Sequence, residues 1–280
     1  MRILSFESVA DAVRKLVIET ACVLPGDVLD RIVRMRREET STRAAAILDQ
    51  IIENARIASG ESIPLCQDTG AAVFFVDAGA GVRVDGEGIE RAVTEGMARG
   101  YREGGLRMSI VGDPLRRVNT GDNTPAFIHL REVPGDAVDI AFMPKGGGCE
   151  NMSRLAMLTP GDGREGVVEF VTETVRAGGG KPCPPVIVGV GVGGTFDHAA
   201  LTAKRSLLRT VGVRNADPYY AELEQELFER INALGIGPMG LGGRTTALDV
   251  FVEASPCHIA SMPVAVNIQC HSARHGFVRL

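Results

Sequence analysis

Lys181-Pro182-Cys183-Pro184-Pro185-Val186-Ile187-Val188-Gly189-Val190-Gly191-Val192-Gly193-Gly194-Thr195 is the stretch that decides the fold. Its valines and isoleucine, bounded by prolines on one side and glycines on the other, predict a buried strand. A helical pattern over 197–209 follows at once, and strand feeding directly into helix is the building unit of α/β proteins. The same alternation extends outward in both directions. Upstream, strand-like 73–76, 128–133 and 138–143 alternate with helical 88–101 and 165–176; downstream, helical 218–234 precedes strand-like 248–252 and 264–268. Residues 1–60 differ. Val9, Val13, Leu16 and Val17 keep a 3.6-residue rhythm, Val28, Ile32 and Val33 resume it after Pro25-Gly26, and 42–59 turns Ala45, Ile47, Ile51 and Ile52 to one side. The expectation is an α/β (mixed α+β) protein with a helical N-terminal portion over 1–60. Without an internal repeat, linker or low-complexity tract, 1–280 reads as a single continuous domain.

Composition narrows the function. Hydrophobic residues are 45% and charged residues 23% of 280, the balance of a chain that folds rather than one that stays disordered. No apolar run approaches the roughly 18 residues of a membrane span, and the N-terminus carries no secretory pattern, so the expected compartment is the cytoplasm. Thirty basic residues against 35 acidic ones, with the arginines scattered, exclude an electrostatic footprint for nucleic acid and leave a small molecule as the expected ligand. The 34 glycines cluster at 146–148, 178–180 and 189–194, where backbone is able to approach something closely. Six cysteines at 22, 66, 149, 183, 257 and 270 include no C-x-x-C pair, which argues against a disulfide framework and a zinc knuckle alike. Cys22, inside an apolar helical pattern, reads as a small buried hydrophobe.

Five segments carry chemistry-bearing residues, and each also has an ordinary structural explanation. Pro64-Leu65-Cys66-Gln67-Asp68-Thr69-Gly70 reads as a turn, or as a loop presenting a thiolate, an amide and a carboxylate together. Arg107, at the head of a long polar stretch ending in Asn119-Thr120-Gly121-Asp122-Asn123-Thr124-Pro125, offers a planar fork suited to a carboxylate, although most arginines are simply solvated. Pro144-Lys145-Gly146-Gly147-Gly148-Cys149 allows backbone N–H groups to face an anion beside the Lys145 charge. Around Cys183, flanking prolines aim a thiol, while Gly189, Gly191 and Gly194 match the G-x-G-x-x-G of dinucleotide sites. No acidic residue stands about 20 positions on, where that fingerprint expects one, and helix-on-strand packing explains the same glycines. Finally, Cys257-His258 and Cys270-His271, with Arg274 and His275, crowd the C-terminal end.

In order and spacing these motifs resemble those of the iron–sulfur-dependent class I hydro-lyases, the family of the fumarate hydratase and L-tartrate dehydratase alpha subunits. The resemblance runs from the helical lead-in to His275. It implies a [4Fe-4S] cluster held by Cys66, Cys183 and Cys270, three ligands that leave one iron open as a Lewis acid. It also implies Asp68 as an acid/base residue and His258, twelve residues before Cys270, as a pocket histidine. Gln67, Arg107, Lys145, Gly147 and Gly148 become contacts for a small dicarboxylate substrate. The implied reaction interconverts fumarate and (S)-malate, with L-tartrate dehydration as the alternative. Cys149 stands where fumarate hydratases commonly have Ser, and a Cys there is also met in tartrate-dehydratase-like members. The family's complete enzyme has a further part that supplies more active-site residues, so the resemblance implies a separate β subunit, as in an α2β2 assembly. Two readings from other classes compete: a nucleotide-binding oxidoreductase using 189–194, and a non-catalytic assembly subunit with structural thiols.

Overall fold

In a computed structural model that describes residues 1–280, the periodic N-terminal segments form helices and the chain then alternates as the sequence predicts. The order is β1 (Arg2–Leu4), α1 (Phe6–Cys22), α2 (Gly26–Glu38), α3 (Thr42–Glu61), β2 (Ala71–Gly79), β3 (Val82–Val84), α4 (Ile89–Glu103), β4 (Phe127–Val133) and β5 (Val138–Lys145). A single turn α5 (Gly147–Glu150) follows, then β6 (Arg154–Leu158), α6 (Gly163–Gly178), β7 (Val186–Gly193), α7 (Phe196–Ser206), α8 (Pro218–Ala233), β8 (Ala247–Ser255), β9 (Met262–Gln269) and β10 (Gly276–Arg279). The α/β class is as expected, and the sheets are mixed. No helix is long and apolar enough to cross a membrane.

Contacts divide the chain into two compact units, the first made of Met1–Pro25, Ala55–Gly147 and Arg274–Leu280 and the second of Gly26–Asn54 and Gly148–Ala273. In the first, a sheet of order β10-β5-β2-β4 pairs antiparallel, antiparallel and parallel in turn. Val9, Val13 and Val17 of α1 and Val93, Met97 and Tyr101 of α4 form one apolar cluster with Phe74 and Val76 of β2 and Ile140 and Phe142 of β5. Ala72, Val73, Phe74, Phe75 and Val76 are all buried, which is why this strand reads as a continuous apolar run rather than an alternation.

The second unit repeats that succession of pairings in a sheet of order β6-β9-β7-β8. Val168, Val171 and Val175 of α6 and Leu223, Leu227 and Ile231 of α8 pack on Val188, Val190, Val250, Val252 and Val266. Helix α8 starts where Asp217 accepts a hydrogen bond from Tyr219 N and Pro218 fills the first helical position. Helix α7 lies against β7 so closely that a Cβ at Gly189 would come within 2.2 Å of Ala203 O, and one at Gly191 within 2.2 Å of Ala199 O. These glycines of the dinucleotide-like pattern are therefore occupied by helix packing, and β7 sits between one parallel and one antiparallel neighbour rather than in a parallel nucleotide-binding sheet.

Strand β8 is an edge strand, and its outward-facing backbone is closed by side chains. Leu248 O accepts from Arg31, Val250 O from Arg214 and Val252 O from Asn215; Val250 N donates to Asp249, and Val252 N to Glu224. Glu224 is fully buried, accepts also from Asn215 N at 2.9 Å and pairs with Arg209 at 2.6 Å. Glu224→Leu leaves those donors without an acceptor and is expected to cost about 3–5 kcal/mol. Urea unfolding reads this directly, and an unchanged midpoint refutes it.

Candidate functional site

In each unit most of the residues singled out from the sequence, His258 excepted, lie near one place in the topology: the entry to a central strand and the exit of its antiparallel neighbour. In the first unit, 64–70 leads into β2, whose Ala71 pairs with Lys145, the last residue of β5. Leu65 anchors the loop by its buried side chain and by donating its N–H to Ala21 O at 2.9 Å. Cys66 follows, half-buried, with its Sγ 3.4 Å from Gln67 Oε1. The Asp68 carboxylate accepts from Gly147 N at 2.8 Å, Gly70 N at 3.0 Å and Ser109 Oγ at 3.4 Å, and Arg274 donates to Asp68 O at 3.0 Å. The N–H of Gly147, expected to face an anion, thus holds Asp68. Lys145 is buried at 2% exposure, whereas Arg107 is exposed and tied to this loop through Thr69 Oγ1, which donates to Arg107 O.

Behind the loop lies a buried support. Tyr101, with no exposed surface, donates its hydroxyl to Thr69 O at 2.7 Å, and Asn123 Nδ2 donates to Gly70 O at 3.2 Å while Asn123 Oδ1 accepts from Ser109 N. Burial raises the Tyr101 pKa well above its ordinary value, so the phenol remains a donor at any physiological pH. Gly70, at φ +75°, packs on the Lys145 backbone, and a Cβ there would sit 2.7 Å from Lys145 C. Tyr101→Phe leaves a buried carbonyl without its donor; a loss of about 1–3 kcal/mol is expected, with faster amide exchange in 66–70. Unaltered exchange there contradicts the support role.

In the second unit, Cys183 stands just before β7 and Cys270 just after β9, and the antiparallel pairing of Ile187 with Gln269 brings both to the same end of the sheet. His271 ties them: its N–H reaches Cys183 O at 3.5 Å and its Nδ1 lies 2.9 Å from the same oxygen. Cys183 has φ 54°, the left-handed region that a residue with a Cβ enters at a cost of about 1–2 kcal/mol. The surroundings hold it there. Met239 N donates to Pro184 O at 2.7 Å, and Gly240 rests on Gly180, where a Cβ on Gly240 would be 2.6 Å from Gly180 Cα. This clamp was not among the segments singled out from the sequence, although 235–243 holds five glycines in nine residues. Gly148 lies close to this turn, a Cβ there falling 3.2 Å from Lys181 O.

Exposure sorts the six free thiols. Cys66, Cys183 and Cys270 are half-buried, Cys22 and Cys149 are buried, and Cys257 is exposed. Burial also raises the Cys22 pKa, as befits an inert structural thiol. No three His, Cys, Asp or Glu side chains converge on a single-ion site. The thiolates of an iron–sulfur cluster bind different irons, and half-buried cysteines suit that donor set. His258 is not brought to the cysteine end of its unit. It precedes β9, in an open pocket of about 630 Å³ with Thr195, His198 and Cys257, and the eight residues of β9 run between it and Cys270.

Comparison with known proteins covers nearly the whole chain. The family model described as "Fumarate hydratase (Fumerase)" matches residues 10–279. A Methanocaldococcus jannaschii protein provisionally named L(+)-tartrate dehydratase subunit alpha is 44% identical over 279 residues, covering 97% of each chain. The L(+)-tartrate dehydratase subunit alpha of Escherichia coli strain UTI89 is 35% identical over 92% of this chain and 86% of its own, and that of strain K12 is 34% identical over 90% and 84%.

Proposed function

Because the chain belongs to the fumarate hydratase and L(+)-tartrate dehydratase family of hydro-lyases, we propose that it is the alpha subunit of an enzyme that interconverts fumarate and (S)-malate. The observation that carries the reading is the meeting of Cys183 and Cys270 at one sheet end, with Cys183 held at φ 54° and His271 bonded to its carbonyl. Strained, clamped positions of this kind cluster at functional sites, which supports the reading. Cys66, Cys183 and Cys270 are the proposed ligands of a [4Fe-4S] cluster. When bound, that cluster supplies a Lewis-acidic iron with one position free of protein ligands.

The chain's own residues do the rest. Asp68, fixed by donors from Gly70 and Gly147, is the proposed proton-transferring carboxylate, and its orientation is set before substrate arrives. The exposed Arg107 is the proposed partner of a substrate carboxylate, with Gln67, Lys145 and Gly148 as further contacts, and Gly147 takes part through the Asp68 carboxylate that its N–H holds. His258 enters as a hydrogen-bond donor or proton relay on its motif position alone.

L-tartrate dehydration is a second reading, favoured by the names of the relatives above and by Cys149. The relatives' designation as alpha subunits supports a β-subunit partner, for which the proposed assembly is α2β2, and six cysteines without a disulfide suit the proposed reducing, cytoplasmic compartment. The test is anaerobic assay of the iron-loaded chain with malate and L-tartrate, alone and co-purified with its partner. Dehydration of malate only in the complex is expected. Faster turnover of tartrate transfers the assignment to the second reading, full activity of the single chain removes the partner, and no activity on either substrate in the loaded complex overturns the hydro-lyase proposal.

A further inference from the structure

The second unit contains a cavity of about 760 Å³ whose wall includes Arg31, Arg214, Phe228, Asn232, Arg244 and Thr245, and none of the residues proposed above for catalysis or for the cluster. That volume is in the range of small-molecule sites. Three arginines and two glutamates line the cavity. Arg31 Nε donates to Leu248 O at 2.9 Å, and its Cζ lies 5.0 Å from the centroid of the Phe228 ring, with Arg214 Cζ 5.7 Å from the same centroid. Arg31 therefore cannot swing away to solvent without giving up both a backbone bond and a ring contact. Its Nε is the one nitrogen of the group bonded within the protein, so the Nη groups of this cavity-lining residue have no acceptor in the chain. Arg214 is engaged by Asp249 at 2.6 Å, while the exposed guanidinium of Arg244 completes the positive wall. The rim also carries Glu38 and Glu229, the latter accepting from Gln225 at 2.7 Å. Burial pulls the Arg31 pKa down, and Arg214 and Arg34 push it the same way against Asp249 and Glu38.

The same wall already holds one carboxylate. Glu39 Oε2 accepts from Arg244 N at 2.9 Å, Thr245 N at 3.1 Å and Thr245 Oγ1 at 3.0 Å, showing the geometry this backbone offers to an acidic group. A fixed, planar Nη edge with a second guanidinium nearby matches a planar carboxylate better than it matches a neutral or cationic guest.

We propose that this cavity is a second carboxylate-binding site, in which the Nη edge of Arg31 and the guanidinium of Arg244 grip a carboxylate group supplied either by a free small dicarboxylate or by an acidic side chain of a partner subunit. The site is independent of the hydro-lyase reading. Malonate, which carries neither the hydroxyl nor the double bond of a hydro-lyase substrate, serves as the probe. Calorimetric titration of the full chain in an Arg107→Gln background is expected to give saturable one-to-one binding. Arg31→Gln and, at an exposed position that leaves folding intact, Arg244→Gln each weaken it by about tenfold or more. Phenylglyoxal labelling mapped by mass spectrometry separates the two sources. Protection of Arg31 and Arg244 by malonate in the isolated chain assigns a free ligand, and protection by the co-purified partner alone assigns an acidic side chain. Labelling of both arginines under every condition overturns the proposal. So does malonate binding that vanishes with Arg107→Gln and persists in Arg31→Gln, a result that leaves the hydro-lyase reading standing.

Discussion

Anaerobically purified Cys183→Ser protein is expected to be colourless, to retain little iron and to lose at least about a hundredfold in turnover, while Cys22→Ser keeps its iron and activity. Losing even a supporting residue of a metal centre costs ten- to a hundredfold as a rule, so losing a ligand sets that as a floor. The two thiols differ in their surroundings. Cys183 is half-buried at a strand entry, clamped at φ 54°, and shares an end of the sheet with Cys270. Cys22 is buried in α1 among apolar side chains, and burial raises its pKa. Serine at 183 keeps the shape and the backbone contacts, so its urea midpoint should stay near that of the parent and loss of iron is not confused with loss of fold. An iron-to-protein ratio equal to the parent's in Cys183→Ser removes this residue from the cluster.

Gly191→Val is expected to destabilise the second unit strongly. A Cβ at 191 would come within 2.2 Å of Ala199 O and 2.7 Å of Ala203 N, both backbone atoms of α7, so the helix must move bodily off β7. Overpacking a core costs about 1–3 kcal/mol when side chains alone adjust, and here none is available to adjust, so a loss of about 3 kcal/mol or more, with poor soluble yield, is the expected outcome. Gly60→Ala is the control. Nothing lies within 4 Å of a Cβ there, and in helix α3 the change should be neutral or stabilising by up to about 1 kcal/mol. Equal urea midpoints for Gly191→Val and the parent contradict the packing account and return the glycines of 189–194 to the nucleotide reading.

Most long elements were legible because they bury one continuous apolar face: the rhythm of Val9, Val13, Leu16 and Val17 gave α1, and the valine run from 186 gave β7. What escaped was short or dependent on a distant partner. Strand β6, Arg154–Leu158, has no β-branched residue and forms because it pairs with β9 more than a hundred residues away. Likewise β10 is four residues that complete an edge on β5. The repetition of one pairing scheme in the two sheets left no sequence repeat, since topology is shared while the residues are not. At the site, cysteine spacing alone says nothing about proximity. The register of β7 against β9 turns a separation of 87 residues between Cys183 and Cys270 into neighbourhood at one sheet end. His258 shows the converse: twelve residues from Cys270 in sequence, it lies a whole strand away.

The lateral margin of β8 bears on how the protein behaves when crowded. Bare sheet margins invite a neighbouring chain to add a strand and begin a fibril. Here Arg31, Arg214, Asn215, Glu224 and Asp249 occupy the outward peptide groups of Leu248, Val250 and Val252. Copies produced at high concentration thus meet a border whose peptide groups from Leu248 to Val252 are largely taken, which leaves a poor template for polymerisation there.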